Sequence, residues 1–220
     1  MSPISSRVNS SGNRWPWLGV ASGALLLVST FLPFPEITTR KLREPDSALV
    51  QTLADGATTI YIRNALSWFC VALLVLFVVA LHRHLQAVAQ PQSLVPLVVL
   101  GGGLTTSGAL LVAYGLLAQI AGVASDGRSP DVVASVYSVG DGLAYGAWAG
   151  LGLVTGAVAV AGLRGWGVGR GLGLFSAVVT ALFGLMAFFP FLAWLVAAVW
   201  LIVAGLLLLR SGEGATEVPV

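Results

Sequence analysis

Tyr137, Asp141 and Tyr145 recur every four residues, so on a helix two phenols and a carboxylate stand in one row on one face. Counting about 20 residues of hydrocarbon-spanning helix back from Arg164 ends near Tyr145, which puts Asp141 about one turn above, at the water boundary. A preceding apolar block that enters near Leu97 reaches the same boundary about 30 Å later, close to Gln119, with Tyr114 slightly deeper. Another starts there at Arg63. Asp141, Tyr145, Gln119, Tyr114 and Arg63 are therefore the candidate lining of one outward-facing polar pocket, because polar groups at membrane depth turn toward the bundle interior. The competing expectation is that Asp141 points at water and the tyrosines join the interfacial aromatic belt.

Catalysis has less to build on. An intramembrane enzyme needs a nucleophile with a base, paired carboxylates or a metal cluster, and the apolar cores carry no Asp, Glu, Lys, Arg or His at midplane. His82 and His84 flank Arg83, but residues two apart point to different sides of a helix, and their membrane face is opposite that of Asp141. They read as interfacial anchors. Gly101-Gly102-Gly103 lies inside an apolar block with no following Lys, unlike a phosphate loop, and the hydroxyls of the following Thr105-Thr106-Ser107 can bond back to their own helix. Cys70 is the single cysteine and reads as a small buried hydrophobe. No catalytic residue, metal or cofactor is expected.

Six apolar blocks position the polar row. Residues 15–34 form a first apolar helix that ends in Phe-Leu-Pro-Phe-Pro, with no small-residue cleavage site. A long polar loop follows, in which Asp46 caps a short surface helix ending at Gly56. Further apolar helices are expected at 58–85, 94–124, 129–163, 171–188 and 191–210, with the last two separated at Pro190. Residues 1–14 are polar and expected to be disordered, and 211–220 form a polar tail. Along 129–163, Gly142, Gly146 and Gly150 recur every four residues, and Gly152 and Gly156 repeat the spacing one face over. The pattern reads as a glycine zipper that packs closely against a helix of the same chain or of a second copy.

Composition sets the class. A chain of 220 residues that is 57% hydrophobic and 9% charged is expected to be an all-α polytopic transmembrane bundle, six helices with an extended outer loop between the first two. The 11 basic residues form no run, which argues against nucleic acid. With both termini cytoplasmic, Arg7, Arg14, Arg83, Arg164, Arg170 and Arg210 lie inside, against Arg40, Lys41, Arg43, Arg63 and Arg128 outside. Four of the outside charges share the one long loop, so the short connections favour this orientation in the cell membrane.

The Trp-flanked first helix, the polar outer loop, the Ala-Leu-His-Arg-His-Leu ending of the second, the Gly-rich fourth and the Leu-Leu-Leu-Leu-Arg close of the last resemble small six-helix bacterial integral membrane proteins of unknown function. That resemblance implies a class and carries no chemistry onto numbered residues. The functional expectation is a non-catalytic membrane component that binds lipid, a partner membrane protein or a second copy. The alternative is a facilitator for a small neutral solute.

Overall fold

The structure is a computed structural model that describes residues 14–35, 37–186 and 188–213. Most of the amino-terminal stretch expected to be disordered, and the end of the polar tail, lie outside the described residues. Among the described residues every regular element is a helix.

The first, α1, spans Pro16–Phe31, where Pro16 costs nothing because a first-turn N–H has no helical partner. The loop after it is more ordered than its polarity announces. A short α2, Thr39–Arg43, is capped by Thr38, and α3, Ser47–Asp55, is capped by Asp46, whose Oδ1 accepts from the Leu49 N–H at 3.0 Å. From Gly56 the chain runs straight into α4, Ala57–Val88, and then α5, Val95–Ser125.

The stretch expected to be one helix over 129–163 divides into α6, Pro130–Ala149, and α7, Leu151–Leu163. The interruption falls at Gly150, where the helix presses on α5: a Cβ there would come within 2.6 Å of Thr106 Oγ1. A turn that uses Gly165 and Gly167 at φ of 73° and 61° leads to α8, Arg170–Leu185, shorter than the expected 171–188. A 3-10 turn at Pro190–Leu192 then opens α9, Ala193–Glu213.

Four stretches are long and apolar enough to cross a membrane: Ala57–Val88, Val95–Ser125, Pro130–Leu163 and Ala193–Ser211. Helices α1 and α8 are also apolar but have 16 residues each, about 24 Å against a hydrocarbon core of about 30 Å. The helices close into a ring in which α1 packs on α4, α4 on α5, α5 on α6 and α7, α7 on α8, and α9 on both α8 and α1. Phe77, Trp148 and Trp200 are buried inside it, and Trp200 Nε1 donates to Ser176 Oγ at 3.0 Å. Phe69, Leu97, Val112 and Val178 face outward from three different helices, α4, α5 and α8, leaving an apolar exterior that suits lipid.

A second, smaller apolar cluster lies under the loop. Leu49 and Leu53 of α3 meet Ile60, Ile120, Ala124 and Val133, all buried.

The two ends of the ring differ. At one, Trp15 stacks on His84 with ring centroids 5.7 Å apart, His84 Nε2 donates to the Gly167 carbonyl at 3.0 Å, and His82 Nδ1 donates to Pro96 O at 2.8 Å. The histidines thus tie turns together. At the other end Phe34, Arg63 and Tyr137 gather.

The glycine row does not form one interface. Gly142 and Gly146 have open space where a Cβ would go, whereas Gly150 meets Thr106, Gly152 meets Phe183 at 3.2 Å and Gly156 meets Thr180 at 3.4 Å. Gly150 keeps helical dihedrals, φ −60° and ψ −27°, so the halves of the row differ in what packs against them and not in the course of the chain. The tightest backbone approaches use other glycines: a Cβ on Gly173 would sit 2.8 Å from Gly162 Cα, and one on Gly205 would sit 2.6 Å from Pro16 O.

Candidate functional site

Near the Arg63 end, α1, α4, α5 and α6 enclose a polar chamber of about 60 Å³. Its position follows from helix length: the first turns of α4 continue beyond the apolar core, so Arg63, Asn64 and Ser67 share a face at the depth where α5 presents Tyr114 and α6 presents Tyr137 and Asp141. Leu117, Phe34 and the hydroxyls of Ser29 and Thr30 complete the wall.

Each polar group has a defined state. Ser29 and Thr30 both donate to Leu26 O, at 2.9 and 2.8 Å, and Ser67 donates to Arg63 O at 3.0 Å. Their protons are taken up by their own helices, so these three oxygens offer lone pairs to the chamber. The Tyr114 hydroxyl lies beside Ser67 and the Trp148 indole. Arg63 rests over the Phe34 ring, 4.7 Å from its centroid, and its charge acts on Asp141, Tyr137 and Tyr145. Arg63 and Asp141 line the same space yet form no ion pair with each other; Arg40 pairs with Glu44 on the surface. Asn64 is 7% exposed and lines the chamber.

Of the five residues expected to converge, Arg63, Tyr114 and Asp141 line this chamber. Gln119 does not: it is exposed, because five residues beyond Tyr114 a helix has turned to another face. Tyr145, half-buried one turn from Asp141, lies beside the chamber and not on its wall. Asn64, Ser67, Ser29 and Thr30 went unnoticed in the sequence. The signal for the first two was available, since residues 63, 64 and 67 are one helical turn of polar side chains at the mouth of an apolar span.

Toward the ring centre the chamber is closed. One and two turns deeper, Val71, Leu74 and Leu110 are buried, and Trp148 blocks the α6 side. Elsewhere, Thr106 Oγ1 donates to Gly102 O at 2.8 Å, while Ser107 Oγ, one residue on, is buried without a partner. Cys70 is buried and joined to α1, with Sγ donating to Ser22 O at 3.3 Å and Ser22 Oγ donating back to Cys70 O at 3.0 Å. Among the described residues no three His, Cys, Asp or Glu side chains come together as a metal site would require.

No known protein family, curated protein or solved structure matches this chain.

Proposed function

We propose that this protein is a six-crossing component of the plasma membrane, with both termini cytoplasmic, that binds a ligand non-catalytically at the outward end of the bundle. The chamber walled by Arg63, Asn64, Tyr114 and Asp141 carries the reading: these residues come from three different helices and set two opposite charges on one wall that, among the described residues, form no ion pair with each other. Such groups are costly to bury unpaired, so a cavity that collects them is suited to a polar guest. Lipid and a partner membrane protein are the proposed guests, since both meet the bundle from its surroundings. Six crossings follow if α1 and α8, about 24 Å each, are completed by flanking Trp15, Trp166 and the aromatic turn before α9, or by local thinning of the bilayer.

Binding is favoured over solute passage by the plug of Val71, Leu74, Leu110 and Trp148 beneath the chamber. A non-catalytic role is favoured by the spent protons of Ser29, Thr30 and Ser67 and by the distance of both histidines, which serve the opposite end. The test is access. In a Cys70→Ala background, Asn64→Cys should react with a small membrane-impermeant thiol reagent added outside intact cells, and Tyr114→Cys more slowly. Reaction only from the cytoplasmic side, or none in detergent, overturns the outward chamber.

A further inference from the structure

Resting on that reading of the chamber, we infer that its guest is a small zwitterionic group, with an anionic oxygen on Arg63 and an ammonium on Asp141.

Three observations converge on this chemistry. First, the two charges share one cavity without meeting, so neither neutralises the other directly. Arg63 is held from behind by the Phe34 ring, 4.7 Å from its centroid, which supports the planar guanidinium while leaving its N–H edge to bind oxygen. Second, neutral donors and acceptors both line the cavity. The Asn64 amide adds donors one residue from Arg63, while the Ser29 and Thr30 oxygens, their protons given to Leu26 O, add acceptors suited to an ammonium. Third, the size is restrictive. A water-sized group needs roughly 10–15 Å³ by the same measure, so a chamber of about 60 Å³ takes about four to six of them, the size of glycine or the tip of an ethanolamine headgroup. A lone anion would leave Asp141 unmatched, and a lone cation would leave Arg63 so. A zwitterion matches both while adding no net charge to a site at membrane depth.

The chemistry has two sources, a free amino-acid-like solute or the phosphoethanolamine head of a lipid. Calorimetry on purified protein in detergent should show saturable binding of glycine, with acetate and methylammonium each at least about tenfold weaker. Arg63→Gln and Asp141→Asn should each lose that heat while still eluting as folded protein. In nanodiscs, retention of phosphatidylethanolamine over phosphatidylglycerol, seen by native mass spectrometry and abolished by both substitutions, assigns the guest to lipid. Glycine heat without lipid retention assigns it to a free solute. If either variant fails to fold, the comparison of glycine with its two halves on wild-type protein decides alone. Neither glycine heat at about 10 mM, ten times a weak Kd of about 1 mM, nor selective lipid retention overturns the zwitterion. Outside labelling of Asn64→Cys in that event leaves the outward chamber standing, so the two failures are distinguishable.

Discussion

Arg63 lies over the ring of Phe34, its guanidinium carbon 4.7 Å from the ring centroid, and the other side of the Phe34 contact is the Tyr137 ring at 6.3 Å. A loop residue thereby fixes the direction of the chamber's only wall cation, joining the segment after α1 to α4 and α6. Phe34→Leu keeps apolar bulk and removes the π face. A double-mutant cycle with Arg63→Gln, followed by denaturant unfolding in detergent, should give a coupling of about 0.5–1 kcal/mol. A coupling of zero would mean that Arg63 is held by something else.

Asp141 and Asp131 sit on the same helix in different settings. Asp131 is exposed in the first turn of α6, whereas Asp141 is half-buried on the chamber wall opposite Arg63. Asp141→Ala should lower stability by about 1 kcal/mol or more, because it removes the carboxylate whose charge balances Arg63 across the chamber. Asp131→Ala should cost under about 0.5 kcal/mol, as surface changes do. Equal effects in thermal melts would return Asp141 to the status of a solvated helix end.

The glycines give a sharper contrast. Gly146 has free space around it, while Gly162 and Gly173 hold α7 and α8 at backbone contact. Gly173→Ala should destabilise the protein by roughly 1–3 kcal/mol, through overpacking. Gly146→Leu should leave the melting temperature of a monomer nearly unchanged. If it instead breaks up a cross-linked dimer, a second copy occupies the open face of Gly142 and Gly146.

These contrasts show which parts of the architecture were legible beforehand. Runs of apolar residues between Arg-bearing turns located the long helices, and Asp46 and Gly56 bounded α3, because a cap or a terminal glycine is a local property. Helical facing is also local, which is why Arg63, Tyr114 and Asp141 could be placed at one depth. Facing errors accumulate with distance from a known contact, and that lost Gln119. The spacing of the glycine row names a bare stripe but not what lies against it: Gly150 meets Thr106, Gly152 and Gly156 meet α8, and Gly142 and Gly146 meet open space, all of which are tertiary facts. The close approach of Gly162 to Gly173 spans a turn whose geometry no spacing rule anticipates.

Topology has its own readout. Gln51 is exposed on α3, and Gly171 is exposed at the start of α8 with open space for a side chain. In a Cys70→Ala background, Gln51→Cys should react with an impermeant thiol reagent in intact cells and Gly171→Cys only after permeabilisation. The reverse pattern would invert the orientation and turn the chamber toward the cytoplasm.

Inside the ring, Trp200 Nε1 donates to Ser176 Oγ at 3.0 Å in a fully buried setting. Ser176→Ala should strand the indole N–H and cost about 1–3 kcal/mol, while Trp200→Phe paired with Ser176→Ala should recover part of that loss. Chemical unfolding of the three variants measures both.

The apolar residues beneath the loop are packed separately from those inside the ring: Leu49, Leu53, Ile60, Ile120 and Val133 make one cluster, and Phe77, Trp148 and Trp200 belong to another. Segments that pack as distinct units open at distinct free energies. Amide hydrogens of α3 should therefore exchange with deuterium well before those of α4 near Phe77, in a step that leaves the ring intact. Such a step would wet Ile60, Ile120 and Val133 while Phe77, Trp148 and Trp200 stay packed, so one end of the bundle can loosen on its own timescale, independently of the stability of the protein as a whole.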